Sequence, residues 1–326
     1  ERIDRDARCV FLDDGSSLAY SKLALTTGAL PRHVNLPGSE LAGVHYLRNI
    51  ADVDAIRQQV AAAKSAVIVG GGYIGLETAA SLRAAGMRVT VLEAMSRVLQ
   101  RVTAPRVSGF FDRIHSEEGV SILTDTTVSA FNGRDVLASV TCSDGREFPA
   151  DLAIVGIGVV PDTALAEAAG LEVNDGIVVD AFARTSDPDI VAAGDCTRHY
   201  NPVYERWLRL ESVQNANEQA RTAARSVAGK TEAYHALPWF WSDQYDVKLQ
   251  IAGLSAGYDQ SVIRGDIEAG RSFTVFYLRE GQLIAADAVN RPRDFMAAKR
   301  AILAACAPAA AALADETSDL KTLFEG

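Results

Sequence analysis

A glycine-rich run is the part of this sequence whose residue types and spacing could do chemistry. The run Gly70-Gly71-Gly72-Tyr73-Ile74-Gly75 follows the apolar residues 66–69 and has the GxGxxG spacing. Gly70 permits a tight turn, Gly72 lets the backbone approach a pyrophosphate, and Gly75 lets a helix pack closely on a strand. The free N–H groups at the start of that helix would face the negative charge. The run therefore predicts a dinucleotide site.

An acidic residue at the expected distance supports this prediction. The pattern indicates a strand over 66–70, a helix over 74–85 closed by Gly86, and a second strand over 88–93 that ends at Glu93. A carboxylate there suits the ribose hydroxyls of NAD and would repel the 2′-phosphate of NADP. Arg97 and Arg101 follow closely and leave NADPH open. We predict NADH binding, with a glycine-rich turn that holds no ligand as the alternative.

A second candidate is the pair Gly194-Asp195 after the apolar run 190–193. A carboxylate at the end of a strand can accept hydrogen bonds from the hydroxyl groups of a ligand that lies across the sheet edge. Taken alone, a Gly-Asp pair after a strand is also typical of a plain turn.

The elements that must position these residues follow an α/β order. After the first βαβ step, which indicates a doubly wound sheet, strands at 177–179 and 190–194 and a helix over 212–228 predict part of another domain. From Pro238 the pattern changes to strands at 249–254, 261–264, 273–278 and 282–290, followed by a helix over 293–305. This change predicts a separate C-terminal α+β domain.

Composition excludes several classes of function. A net charge of −10 with scattered Lys and Arg argues against nucleic acid as the main partner. The four cysteines lie far apart without a CxxC pair, which predicts reduced thiols in a cytoplasmic protein, and the five histidines show no metal-ligand spacing. No signal peptide is visible, and the most apolar stretch, 301–314, is too short to span a bilayer, so no membrane role is expected.

Several motifs together identify a family that the chain resembles. The chain is similar, over essentially its whole length, to the NADH-dependent, FAD-containing ferredoxin reductases of the glutathione-reductase fold that serve bacterial oxygenases. The motifs are Thr27-Gly28-Ala29 with Pro31-Arg32, Tyr46-Leu47-Arg48, the run from Gly70 to Glu77, Ala193-Gly194-Asp195, Glu211-Ser212-Val213-Gln214-Asn215-Ala216, Pro238-Trp239-Phe240-Trp241-Ser242-Asp243-Gln244 and Ala288-Val289-Asn290-Arg291-Pro292.

The resemblance implies a set of FAD contacts. Thr27, Gly28 and Arg48 would lie along the FAD, with Arg48 near its pyrophosphate, and Asp195 would hold the ribityl chain. Val213 would lie at the flavin ring, at the start of its helix. The helix dipole and free N–H groups there would stabilise negative charge on the reduced flavin.

The resemblance also implies where the nicotinamide binds. Glu77 would lie where the nicotinamide stacks on the flavin and would orient its carboxamide. Trp241 would border the flavin ring, and Gly158 would provide a second close backbone approach to the dinucleotide. Without the resemblance, Glu77 would be taken as surface charge and Trp241 as a core or interface aromatic residue.

The implied fold is α/β, with two doubly wound dinucleotide-binding domains and a C-terminal α+β domain. The FAD domain would comprise residues 1–38 and 162–236, the NAD-binding domain residues 39–161, and the C-terminal domain residues 237–326. Members of the family begin with a strand, a Gly-rich turn and a helix that bind FAD, and no such motif precedes Glu1. We therefore expect the FAD domain of this sequence to lack its adenosine half and the lysine that the family places beside the flavin.

The implied reaction passes electrons from NADH through FAD to a two-iron two-sulfur ferredoxin that feeds an oxygenase. A cofactor reaction of this kind needs no side-chain nucleophile. Arg221, Arg291, Arg293 and Lys321 are candidates for docking the ferredoxin, which is usually acidic. Alternatives on the same fold are an NADH oxidase, a rubredoxin reductase or a monodehydroascorbate reductase. Two further functions are considered. The chain could be like the apoptosis-inducing flavoproteins, in which NADH changes shape or partners, or it could only bind NAD.

Overall fold

Short strands and helices alternate along residues 1–325, which the computed structural model describes. The strands are β1 (Arg2–Asp4), β2 (Cys9–Phe11), β3 (Ser17–Ala19), β4 (Leu23–Leu25), β5 (Ala29–Pro31), β6 (Val44–Tyr46), β7 (Ser65–Val69), β8 (Arg88–Leu92), β9 (Ser121–Leu123), β10 (Val128–Gly133), β11 (Leu137–Cys142), β12 (Glu147–Pro149), β13 (Leu152–Val155), β14 (Val159–Pro161), β15 (Ile177–Val179), β16 (Ile190–Ala192), β17 (Thr197–Asn201), β18 (Arg206–Leu208), β19 (Trp239–Gln244), β20 (Val247–Gly253), β21 (Gln260–Asp266), β22 (Ser272–Arg279) and β23 (Gln282–Val289).

The helices are α1 (Ile50–Val60), α2 (Tyr73–Ala84), α3 (Pro105–Glu117), α4 (Ala164–Ala168), α5 (Val213–Val227), α6 (Pro292–Leu303), α7 (Ala310–Ala314) and α8 (Leu320–Glu325). The chain forms two compact units. Unit 1 contains Glu1–Leu30 and Val159–Phe240, and unit 2 contains Pro31–Gly158 and the chain from Trp241 onwards. Within residues 1–325, no helix is both long and apolar enough to cross a bilayer.

A parallel sheet carries the glycine-rich turn of unit 2. Its strand order is β6-β13-β7-β8-β9, and each neighbouring pair is parallel. All five residues of β7 are buried, as expected for a central parallel strand covered on both faces. The turn joins β7 to α2, so the predicted βαβ step and the α/β fold are confirmed.

The helix α3 of unit 2 was not predicted. It begins with Pro105 as its first residue, a favourable place for proline, and it contains Gly109, a poor helix former. Val107, Phe111 and Ile114 are fully buried. Their spacing of three and four residues is what one face of a helix produces. Tertiary burial therefore outweighs the weak local propensity.

The C-terminal part of unit 2 contains a five-stranded sheet of order β19-β20-β23-β22-β21. The pairs β20–β23, β22–β23 and β21–β22 are antiparallel. The strand β19 was not predicted, because its run of aromatic and polar residues does not alternate cleanly. Its side chains nevertheless alternate from Trp241, with Ser242 and Gln244 buried and Asp243 exposed.

Unit 1 combines small sheets with the long helix α5. The strand β16 pairs in parallel with β4, and β15 pairs in parallel with β17. A core of apolar side chains, including Leu25, Ile177 and Ile190, fills the interior. The helix α5 agrees within one residue at each end with the helix predicted over 212–228. The Gly194-Asp195 pair lies one residue beyond the end of β16.

Candidate functional site

The N-terminus of α2 is open where a pyrophosphate would bind. Gly72 is the N-cap of this 12-residue helix and has no side chain that could accept a hydrogen bond from the first N–H groups. Among residues 1–325, a Cβ atom on Gly72 would meet no atom within 4 Å. The N–H groups at a helix N-terminus beside open space fit the phosphates of a dinucleotide.

The other two glycines of the motif are required by close packing. Gly70 has a φ of +108°, which favours glycine. A Cβ atom on Gly75 would lie 2.1 Å from the carbonyl oxygen of Gly70, so only glycine lets α2 approach the turn. Beyond β13, a Cβ atom on Gly158 would meet nothing within 4 Å in the described part of the chain. Gly158 thus leaves open backbone, as its predicted approach to the dinucleotide requires.

The carboxylate of Glu93 is held beside the turn. Its Oε2 accepts from the Gly71 amide at 2.6 Å, and its Oε1 accepts from the Met95 amide at 2.7 Å. A carboxylate can accept about four hydrogen bonds, so each oxygen retains capacity for a ribose hydroxyl. Arg97 binds inside its own loop, to the carbonyl oxygens of Thr103 and Gln100, whereas Arg101 is exposed.

We predict that the chain binds NADH at least about tenfold more tightly than NADPH, because a fixed carboxylate repels the 2′-phosphate. Isothermal calorimetry with both nucleotides measures the ratio. The substitution Glu93→Gln removes the charge but keeps a hydrogen-bond acceptor, so it should reduce the difference between the NADH and NADPH affinities. Equal affinities in the unsubstituted chain would contradict the assigned role of Glu93.

Glu77 lies on α2, two residues after the glycine-rich run, and is half-buried. Its Oε1 accepts a hydrogen bond of 2.5 Å from the Ser242 hydroxyl. Burial raises the pKa of the Glu77 carboxyl, and the hydrogen bond from Ser242 opposes that rise. Trp241 precedes Ser242 in β19, so the structure brings the predicted residue Glu77 to the strand that carries the predicted residue Trp241.

In unit 1, Thr27 and Gly28 follow β4. The Thr27 hydroxyl donates to the carbonyl oxygen of Asp162 at 2.5 Å, and the carbonyl oxygen of Gly28 accepts from the Asp162 amide at 3.0 Å. These bonds hold the segment that, by the family resemblance, is expected to lie along the FAD. Asp195 follows β16 and is partly exposed.

Val213 is the first residue of α5, and its side chain is 58% exposed. The hydroxyl of Ser212 caps the helix by accepting from the Asn215 amide at 3.1 Å. An exposed apolar side chain at a helix N-terminus fits a flat ring that carries negative charge when reduced. The residues present in unit 1 therefore fit the flavin end of FAD.

Arg48 follows β6 in unit 2 and is exposed. Its backbone N–H donates to Asp52 Oδ2 at 2.9 Å, just before α1 begins. Of the predicted cofactor residues, unit 1 carries Thr27, Gly28, Asp195 and Val213, and unit 2 carries Arg48, Gly70, Gly71, Gly72, Tyr73, Ile74, Gly75, Glu77, Glu93, Gly158 and Trp241.

Sequence reasoning missed Gln219, a buried polar residue of α5. Its Oε1 accepts from the Gly194 amide at 2.8 Å and from the Thr197 hydroxyl at 2.7 Å. Its Nε2 contacts Nδ1 of His199 at 3.0 Å, and burial lowers the pKa of His199 to about 4. Gln219 thus holds the turn that precedes Asp195. A glutamine on the buried face of an amphipathic helix was the available signal.

The predicted docking cations have different environments. Arg221 is 65% exposed and pairs with Glu218 on α5. Arg291 is engaged inside unit 2, where its guanidinium binds Ser272 and Glu316. Arg293 and Lys321 line a cavity of about 660 Å³ between α6 and α8, which Arg264 and Arg300 also line.

Comparison with known protein families gives two matches. Residues 1–220 match the pyridine nucleotide-disulphide oxidoreductase family, and residues 239–324 match the reductase C-terminal family. Putidaredoxin reductase CamA of Pseudomonas putida is 45% identical over 328 aligned residues, which cover 99% of this chain and 78% of that protein.

A second relative and a solved structure are similar to this chain over nearly its whole length. The ferredoxin–NAD(+) reductase component of the anthranilate 1,2-dioxygenase system of Burkholderia cepacia is 43% identical, with 99% of this chain and 80% of that protein covered. Among solved structures, the covalent putidaredoxin reductase–putidaredoxin complex matches with a TM-score of 0.96 and 44% identity, over 100% of this chain and 79% of that one.

Proposed function

The chain belongs to the pyridine nucleotide-disulphide oxidoreductase family, and we propose that it passes electrons from NADH through FAD to a two-iron two-sulfur ferredoxin that feeds an oxygenase. Like its family, the chain is an oxidoreductase with FAD and NAD(H) as cofactors. Within the fold, the open N-terminus of α2 with Glu93 beside it is the observation that carries the proposal.

The roles of the binding residues follow from their chemistry. The N–H groups after Gly72 bind the pyrophosphate of NADH, Glu93 accepts from its ribose, and Glu77 orients the carboxamide of the nicotinamide. We assign the flavin end of FAD to Thr27, Gly28, Asp195 and Val213 of unit 1. The role of Arg48 stays a prediction. When bound, FAD supplies the exchange between a two-electron donor and a one-electron acceptor.

The ferredoxin as partner is proposed from the relatives. Putidaredoxin reductase crystallised as a complex with putidaredoxin, and the anthranilate dioxygenase component is named for its ferredoxin. We place the reaction in the cytoplasm, where free thiols such as those of the buried residues Cys142 and Cys196 stay reduced.

The direct test is the visible absorption spectrum of the purified chain supplied with FAD, before and after NADH is added. A bound flavin that bleaches with NADH and then reduces a two-iron two-sulfur ferredoxin supports the proposal. A preference for rubredoxin would favour a rubredoxin reductase, of which a Pseudomonas putida relative is 38% identical. Slow oxidation of NADH with every acceptor would contradict an electron-transfer role.

We predict that Arg221→Glu raises the apparent KM for ferredoxin about threefold to tenfold, because a rim charge steers an acidic partner. The rate of NADH oxidation with ferricyanide should stay unchanged. The matched control is Arg184→Glu, which reverses another exposed, ion-paired arginine of unit 1. Equal losses with ferredoxin and ferricyanide would remove Arg221 from the docking surface.

A further inference from the structure

A chain of buried polar side chains leads from Glu77 into the interior of unit 2. The Ser242 hydroxyl contacts Glu77 Oε1 at 2.5 Å, and Gln244 Nε2 contacts the Ser242 hydroxyl at 3.0 Å. Gln244 Oε1 contacts His115 Nε2 at 2.8 Å, and His115 Nδ1 contacts the Tyr245 hydroxyl at 3.0 Å. We name these five residues the Glu77 hydrogen-bond chain.

The chemistry of the groups gives all hydrogen bonds of the Glu77 hydrogen-bond chain the same donor-to-acceptor direction. An ionised Glu77 can only accept, so Ser242 must donate to it and accept from the Gln244 amide. The carbonyl oxygen of Gln244 then needs a donor, and among residues 1–325 the N–H at Nε2 of His115 is the group that contacts it. Nδ1 of that imidazole therefore accepts from the Tyr245 hydroxyl. Every donor in the chain points towards Glu77.

Burial makes this arrangement stable. Ser242 and Gln244 are 1% exposed and His115 is fully buried, so a broken hydrogen bond would not be replaced by water. Burial lowers the pKa of His115, which keeps the imidazole neutral with one nitrogen free to accept. Successive hydrogen bonds in such surroundings polarise one another.

The Glu77 hydrogen-bond chain also joins helices and a strand that are distant in sequence. His115 lies on α3, Glu77 on α2, and Ser242 and Gln244 alternate on the buried face of β19. Fixing the side chain of Glu77 thus depends on contacts among these three elements. His115 has no part in the roles assigned above.

We propose that the Glu77 hydrogen-bond chain positions Glu77, with His115, Gln244 and Ser242 holding its carboxylate in the rotamer that receives the nicotinamide carboxamide. This inference rests on the proposed function. His115 touches neither NADH nor flavin in this scheme and is a positioning residue that acts through Gln244 and Ser242.

The test is a double-mutant cycle on NADH affinity, measured by calorimetry. His115→Phe keeps a ring but removes both nitrogens, and Ser242→Ala removes only a hydroxyl. Each should weaken NADH binding about threefold to tenfold, as expected for the loss of support to a charged acceptor. In a Glu77→Gln background, His115→Phe should have almost no further effect. Additive losses in that background would overturn the proposal.

Ile114→Val is the matched packing control, because Ile114 is fully buried next to His115 on α3 and outside the chain. It should lower stability and leave the NADH affinity unchanged. If it weakens binding as much as His115→Phe does, the effect comes from packing of α3, and a positioning role for His115 is wrong.

A second measurement reads the hydrogen bonds directly. The ¹⁵N chemical shifts of the His115 imidazole should report the neutral form with its proton on Nε2, and both Glu77→Gln and Ser242→Ala should shift them. If the ¹⁵N shifts of His115 are unchanged in both variants, His115 is not coupled to Glu77 and the proposal is wrong, even if NADH binds normally. If the unsubstituted protein binds no NADH, the proposed function fails, and the shifts still decide whether His115 is coupled to Glu77.

Discussion

Gly72→Ala is expected to weaken NADH binding roughly tenfold or more, because a methyl group would separate the N–H donors of α2 from the phosphates. The substitution should leave stability unchanged. A Cβ atom on Gly72 meets no atom of the described residues within 4 Å, and the backbone of Gly72 is extended with a φ of −79°. The dissociation constant by calorimetry and the thermal midpoint measure the two effects separately.

Two other glycines serve as controls for this prediction. Gly75→Ala forces a Cβ atom to within 2.1 Å of the Gly70 carbonyl oxygen, so it should lower stability by about 1–3 kcal/mol as well as NADH affinity. Gly109→Ala places its methyl group in open space on α3 and should raise stability by about 0.5–1 kcal/mol with no change in binding. Normal NADH affinity in Gly72→Ala would refute a pyrophosphate site at this helix.

Asp287→Asn is expected to stabilise the protein increasingly as the pH rises. Asp287 lies in β23, is fully buried and accepts a hydrogen bond of 2.6 Å from the Tyr277 hydroxyl. Within residues 1–325, its Oδ1 has no hydrogen-bond partner. Burial raises the pKa of Asp287 to about 7 from an ordinary value of 3.8.

The direction of the pH effect follows from proton linkage. Below pH 3.8 the carboxyl is protonated in both states, so burial carries no charge cost. As the pH rises towards 7, the unfolded state ionises first, and the free energy of unfolding falls by up to about 1.4 kcal/mol per pH unit. Asparagine has no charge to bury. The stability difference between Asp287→Asn and the unsubstituted chain should therefore grow between about pH 4 and pH 7 and then level off.

Denaturant unfolding at a series of pH values measures this difference, and Asp151→Asn is the control of opposite sign. The amide of Lys64 and the hydroxyl and amide of Ser65 donate to Asp151 and hold its pKa below the ordinary value. Its contribution is present above pH 3.8 and is lost at lower pH, so Asp151→Asn should destabilise the protein at neutral pH. A pH-independent difference for Asp287→Asn would show that Asp287 is not buried as a charge.

Local features were predictable because the residues that form them lie close together in the sequence. The glycine spacing, the flanking strand and helix, and Glu93 lie within one βαβ step, so their mutual geometry follows from standard elements. The Gly-Asp pair after β16 and the helix that starts at Val213 were likewise placed correctly. The roles of these residues in binding FAD came from the resemblance to a family and stay predictions.

Contacts between distant segments were not predictable. Ser242 lies 165 residues from Glu77 and Gln244 lies 129 residues from His115, yet hydrogen bonds join both pairs. No periodicity relates such positions, and His115 lies on a helix that its local propensity concealed. The charge pattern likewise does not show what Arg291 contacts. In the structure its guanidinium binds Ser272 and Glu316 within unit 2.

The sequence by itself therefore determined the βαβ step and the glycine-rich turn after β7, because the glycines act through backbone geometry that a short segment specifies. That a dinucleotide binds at this turn, with Glu93 beside it, stays a prediction. Only the tertiary structure decided what surrounds Glu77. Whether a carboxylate is surface charge or a held acceptor depends on burial and on donors from other elements. These are set when α2, α3 and β19 pack together, and no single segment encodes them.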